Sequence, residues 1–170
     1  MRAEERRQAI LDYLRHSSRP VSAGFLAERF SVSRQAVVGD VALLRAAGAD
    51  ISATPRGYVI LKAAGGFVRQ VACRHAAAGM EAELNAVVDQ GCAVADVIVD
   101  HPVYGQLTGP LQLSSRYDVS QFLARCMEAG ARPLSDLTGG IHLHTLSCPS
   151  EAAFQRVRDV LRELGVLLEG

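Results

Sequence analysis

The stretch Ser31-Val32-Ser33-Arg34-Gln35-Ala36-Val37-Val38-Gly39-Asp40-Val41-Ala42-Leu43-Leu44-Arg45-Ala46-Ala47-Gly48 decides the first half of the chain. Ser33 stands where a hydroxyl caps a helix, and Val37, Val41 and Leu44 recur behind it at helical spacing. A helix is therefore predicted from Arg34 to Ala47, with Gly48 as its stop. Working back from it, Ser31-Val32-Ser33 reads as a tight turn, and Ser22 caps a short helix that turns Leu26 and Phe30 inward. Ser17-Ser18-Arg19-Pro20 closes an earlier helix, Met1 to His16, whose apolar face is Ile10, Leu11 and Leu14. Helix, tight turn and longer capped helix form a helix-turn-helix arrangement. Its outward start is Ser33, Arg34 and Gln35. A guanidinium reaches phosphate or guanine and a carboxamide reaches a base edge, the chemistries a DNA major groove demands. A plain three-helix bundle with Arg34 and Gln35 in solvent fits the same spacing.

Downstream, Ile51-Ser52-Ala53 and Tyr58-Val59-Ile60-Leu61 flank Thr54-Pro55-Arg56-Gly57, whose Pro and Gly mark a turn. This predicts a hairpin tipped by Arg56. The stretch from Ser31 to Gly48 followed by that hairpin resembles the winged-helix domain of bacterial repressors, in which the hairpin touches DNA backbone or minor groove. Gly39 departs from the pattern, because glycine lowers helix stability by about 1 kcal/mol relative to alanine. The charge distribution agrees with a phosphate-facing first half. Net charge is zero over 170 residues, yet residues 1–62 carry ten Lys and Arg against six Asp and Glu, +4, and residues 63–170 carry eight against twelve, −4.

Lys62-Ala63-Ala64-Gly65-Gly66 reads as a linker, which places one domain at 1–62 and a second at 67–170. In the second, Phe67–His75, Val94–His101 and Ile141–Leu146 alternate as strands. Met80–Gln90, a segment opened by Asp118 and Gln121 in a capping-box pattern, and a Ser150-capped segment bearing Phe154, Val157, Leu161 and Leu164 read as helices. Val166–Glu169 is a candidate edge strand. The expected fold is α+β: a winged helix-turn-helix, then an α/β sandwich with a mixed sheet.

With hydrophobic residues at 49% the chain is globular, and Cys73, Cys92, Cys126 and Cys148 show no C-x-x-C spacing and read as reduced, buried thiols. No run approaches the roughly 18 apolar residues that span a bilayer and no signal peptide opens the chain, so a cytoplasmic protein without a membrane partner is expected. The stretch Leu137-Thr138-Gly139-Gly140-Ile141-His142-Leu143-His144-Thr145 is the chemically distinctive one. Two residues apart on a strand, His142 and His144 share a face and are spaced to chelate one divalent ion, given further ligands. The candidates for these are His75, His101, Glu83 and the cysteines; His16 reads as a surface group at a helix end. His75 at a strand end and Glu83 early in the next helix meet if the turn between them is short. Three imidazoles and a carboxylate suit zinc, nickel or ferrous iron, not calcium or magnesium.

The chain also resembles, over its whole length, the niacin-responsive transcriptional repressors of bacteria, which join a winged helix to a 3H domain named for three histidines. The stretches that carry the resemblance are Asp100-His101-Pro102-Val103-Tyr104-Gly105, Leu134 to Thr145, and His75 followed eight residues later by Glu83. The resemblance implies one divalent transition metal ion per chain, on His75, Glu83, His142 and His144. It also implies a homodimer on operator DNA, nicotinic acid as co-repressor, and control of niacin uptake or NAD synthesis genes. His101 beside Tyr104 is then a candidate effector contact, against an imidazole bonded to nearby backbone. Arg116 and Arg132 are candidates to pair with the nicotinate carboxylate. With neither a nucleophile motif nor a general base set apart from the ligands, a regulator is expected rather than a metalloenzyme. A metal sensor is the further alternative.

Overall fold

The computed structural model describes residues 1–60 and 66–169. Its contacts divide into two units, Met1–Ala63 and Ala64–Gly170. The linker read at Lys62–Gly66 and the Leu61 end of the hairpin lie, apart from Gly66, outside the described residues.

In the first unit, α1 (Ala3–His16), α2 (Ala23–Phe30) and α3 (Arg34–Ala46) precede a hairpin of β1 (Ser52–Thr54) and β2 (Gly57–Val59). Ser22 Oγ accepts from the N–H of Phe25 and Ser33 Oγ from that of Ala36, so both serines cap the helices the sequence assigned to them. Between them Ser31 adopts the left-handed conformation at φ 54, which makes the turn tight. Ile10, Leu14, Leu26, Val37 and Val41 are each no more than 1% exposed, and every such side chain stabilises the unit by roughly 1.5–3 kcal/mol relative to exposure. Asp40 is buried among them, accepting Arg6 Nε at 2.6 Å and Nη2 at 3.2 Å, which fastens α1 to α3. Arg45 Nε donates to the Ile51 carbonyl and its guanidinium lies over the Tyr58 ring, fastening the hairpin to α3. Val21 adds a third bridge to Tyr58 that the sequence did not announce. It explains Gly57: at φ +131, a Cβ there would stand 2.4 Å from the Val21 carbonyl.

The second unit runs β3 (Phe67–Arg74), α4 (Met80–Asp89), β4 (Ala93–His101), β5 (Gly105–Leu113), α5 (Arg116–Ala129), a 3-10 turn (Leu134–Thr138), β6 (Ile141–Cys148) and α6 (Glu151–Glu163). The sheet order is β3-β6-β4-β5. Every ladder in it is antiparallel, where a mixed sheet was expected. The strand–helix–strand unit β3-α4-β4 does run parallel, but β6 inserts between its two strands and pairs antiparallel with both. Strand β5 was missed because Gly109 and Pro110 interrupt its alternation; as an edge strand it tolerates the proline. Helix α5 is capped by Ser115, not by Asp118, whose carboxylate inside the first turn accepts from Ser114. Leu164 is exposed, since α6 has ended before it. Val166 and Leu168 hydrogen-bond along β3, through Arg74 N–H and the Ala72 carbonyl, and so cover that edge. Helices α4 and α6 pack on the sheet over a core that includes Leu84, Val87, Val94, Leu146 and Leu161. All four cysteines are free, and Cys73, Cys92 and Cys148 are buried.

Candidate functional site

Strand β6 alternates exposed or half-buried residues with buried ones, and His142 and His144 fall on the buried side under α4, each 3% exposed. In register with β3, Cys73 lies opposite His142 and Val71 opposite His144. His75 follows β3 directly, and Glu83, 1% exposed, sits in the first turns of α4, where the helix dipole favours its charge. The carboxylate takes three imidazoles: His75 Nε2 at 2.5 Å and His142 Nε2 at 2.8 Å on Oε2, and His144 Nε2 at 2.5 Å on Oε1. Two glycines clear the space for His75. At Gly79 a Cβ would press on the imidazole at 3.1 Å, and at Gly140, φ +93, it would stand 2.5 Å from the His75 carbonyl oxygen.

The other ring nitrogens are tied to the backbone. Nδ1 of His75 bonds the Ala76 carbonyl at 2.7 Å, that of His142 the Gly140 carbonyl at 2.8 Å, and that of His144 the Asp96 carbonyl at 2.7 Å. The last is available because the β4–β6 register breaks between Val94 and Ile98. A carbonyl only accepts, so each Nδ1 carries the proton and a neutral ring presents its Nε2 lone pair to the carboxylate. Lone pairs then face a carboxylate, an arrangement that holds only with added protons or a cation between them. At His75 and His144 of the metal-free protein, protons serve. Burial works against the Glu83 anion, but the hydrogen bonds from His142, His144 and His75 outweigh it and hold the carboxyl far below the usual range. The bond to Glu83 raises the His75 pKa; at His144 burial works to lower it, but the bond to Glu83 and its charge more than offset that, for a net rise. Burial, followed by the Glu83 charge, pushes the Cys73 thiol well above the ordinary thiol range.

This donor set fits a borderline divalent metal. Backbone-tied imidazoles that present Nε2 are the usual outer support of a metal-ligating histidine. Cys73, Glu83 and His142 bring ligand atoms within 4.8 Å of one another. Cys73 was legible only as one cysteine among four, although it shares the inward face of β3 with His75. Beside the cluster, a cavity of about 40 Å³ is lined by Met80, Leu84, Leu111, Phe122, Leu134 and Ser135.

The remaining candidates fall elsewhere. His101 ends β4, where its Nδ1 accepts from the N–H groups of Val103 and Tyr104 and its ring meets that of Tyr104 at a tilt, centroids 5.0 Å apart. Arg116 grips Asp89 through two bonds of 2.7 and 2.6 Å, and Arg132 is exposed. None of these lines the cavity beside the cluster. In the first unit Arg34 and Gln35 are exposed at the start of α3, and Ser33 is used as its cap. Arg56 is half-buried in the hairpin turn, its N–H on Thr54 Oγ1.

Fold and site together define a two-part regulator, a helix-turn-helix with a hairpin on the same chain as an α+β unit that buries a histidine–carboxylate cluster. A family model for an HTH domain matches residues 6–59, and one for the 3H domain matches residues 68–170; the chain belongs to the 3H domain family. It is 43% identical to the probable transcription repressor NiaR of Thermotoga maritima over 166 residues, 98% of this chain and 95% of that protein. It is 40% identical to the transcription repressor NadR of Bacillus subtilis over 168 residues, 96% and 93% of the two chains. Among the described residues no helix is long and apolar enough to cross a membrane.

Proposed function

We propose that this chain is a transcriptional repressor that binds operator DNA through residues 1–62 and responds through residues 67–170 to nicotinic acid, controlling niacin uptake or NAD synthesis genes. It acts without catalysis. The relatives named as repressors support the first half of this reading, the resemblance to niacin-responsive repressors supports the effector, and one observation supports a metal in the same unit: three imidazoles, each bonded to a backbone carbonyl, turn Nε2 toward one buried carboxylate. His75, Glu83, His142 and His144 would hold a zinc, nickel or ferrous ion. The ion would supply the positive charge the cluster lacks and fix His75 and the α4 and β6 residues that line the cavity. Nicotinic acid acts as co-repressor by binding more tightly to the DNA-bound form. A homodimer is the DNA-binding unit, because one unit of this size is too small to select a single genomic site and two on a palindrome multiply specificity. Light scattering should give twice the 18.2 kDa chain mass.

The test is operator binding, followed by fluorescence anisotropy, against nicotinic acid concentration for wild type, chelated wild type and His144→Ala. Nicotinic acid should tighten binding in the first only. Tightening that persists after chelation would make the ion a structural staple. No tightening in any of them would remove the effector assignment. Cys73 favours a second reading in which the ion itself is the signal, since a thiol beside the imidazoles suits soft metals. On that reading metal alone, without nicotinic acid, switches operator affinity.

A further inference from the structure

Helix α3 buries Val37, Asp40, Val41 and Leu44, so its opposite face, Arg34, Gln35, Val38, Gly39 and Ala42, is exposed. A helix face turned only to water is ordinarily polar. This one carries no charged side chain between Arg34 and Arg45, and the Arg45 guanidinium is committed to the Ile51 carbonyl and the Tyr58 ring. Val38 is 38% exposed on one edge of this face and Leu43 55% exposed on the other. Gly39 is the second anomaly. Glycine weakens a helix interior, yet a Cβ built there meets nothing within 4 Å, so packing inside the unit gives no reason for it. An apolar side chain beside a missing one, on the outer face of a capped helix in a unit of net charge +4 over residues 1–62, fits a polyanion whose groove comes close to the helix backbone.

We propose that Val38 and Ala42 read thymine methyl groups in the major groove, with Gly39 as the point where the α3 backbone approaches the bases. The inference rests on the DNA-binding reading above and adds base preference to it. The thymine C5-methyl is the apolar group that the major groove displays, and apolar side chains are its partners; the carboxamide of Gln35, one turn earlier on the same face, matches the N6 and N7 edge of adenine. Each half-site therefore contains A·T pairs under the Gln35–Val38–Ala42 stripe, while Arg34 at the helix start takes phosphate or guanine.

The experiment uses the full chain. Bound duplexes are selected from a random-sequence pool, and in the strongest each thymine is replaced in turn by uracil, which pairs identically but lacks the methyl. Replacement at one or two positions in each half-site should weaken wild-type binding about fourfold per lost methyl contact. In Val38→Ala the loss at one of those positions should disappear. Gly39→Ala should raise the melting temperature and weaken binding together, a combination that a purely structural glycine does not produce. If uracil is neutral at every position, if its cost is unchanged in Val38→Ala, or if Gly39→Ala binds normally, the inference is overturned. The DNA-binding reading survives that result provided Arg34→Ala still weakens binding. If no duplex is enriched and Arg34→Ala matches wild type, the DNA-binding reading itself fails, and the exposed face belongs to a protein contact.

Discussion

Exchanging Glu83 for glutamine changes the charge of the buried cluster while keeping its size, and the expected result depends on whether metal is present. In the metal-free wild type the Nε2 atoms of His75 and His144 lie 2.5 Å from the carboxylate, too close for intervening water, so a proton must separate each pair. Keeping one such proton on an imidazole of unperturbed pKa about 6.5 costs about 2 kcal/mol at pH 8. The amide of Glu83→Gln donates an N–H to an Nε2 lone pair without a borrowed proton. At pH 8 in chelator the variant should therefore be more stable than wild type by up to about 2 kcal/mol, a rise of roughly 8–16 °C in melting temperature for a domain of about 100 residues. With metal at a hundredfold excess over its dissociation constant, the wild type gains about 2.7 kcal/mol. The variant, lacking the anionic ligand, gains far less, so the order of the two melting temperatures reverses. Thermal unfolding by circular dichroism, with chelator and with zinc or nickel, reads both halves. A variant that is less stable than wild type in chelator at pH 8 and gains as much from metal would refute the opposed-acceptor account.

The raised pKa values of His75 and His144 stabilise the metal-free protein fully below about pH 6.5 and lose that contribution as pH rises through their folded values; the depressed Glu83 draws on the same bonds, so its share is present above about pH 4.5 only while those imidazoles hold their protons. Melting temperature in chelator should thus fall from pH 6 to 9, whereas metal, which displaces protons, should stabilise more as pH rises; parallel profiles would contradict this. Gly140→Ala must place a Cβ 2.5 Å from the His75 carbonyl oxygen at φ +93, and should cost more than about 1 kcal/mol and weaken metal binding, measured by calorimetric titration; unchanged metal affinity would count against the role of Gly140. Arg34→Ala and Gln35→Ala should each cost about 1–3 kcal/mol at the operator, and normal affinity in both would exclude α3 as the reading helix. Asp40→Ala should lower the melting temperature of the first unit more than Arg6→Ala does, because the carboxylate is the more buried partner at 5% against 16% side-chain exposure; the opposite order would refute the clasp.

What the sequence disclosed and what it withheld divide by the range of the interactions. Ser22 and Ser33 cap helices by bonds to residues three positions on, and the inward side of β6 follows from a period of two, so both were legible from neighbours alone. Val21, a single bridging residue behind Pro20, and β5, broken by Gly109 and Pro110, leave no periodic trace. The cluster lies between these cases. His142 and His144 could be paired with each other from spacing, and His75 with Glu83 from a short turn, but the two pairs are separated by 59 residues or more at Glu83 and meet only because β6 inserts between β3 and β4. That insertion also places Cys73 opposite His142, a contact that no local pattern encodes. The same topology puts Glu83 in the first turns of the helix that packs across β6, so the carboxylate that gathers the imidazoles also anchors α4 to the sheet. Any cation replacing the protons there would act on the packing of β3, α4 and β6 at once, and through Leu84 and Met80, one position after Glu83 and three before it, on the walls of the adjoining cavity.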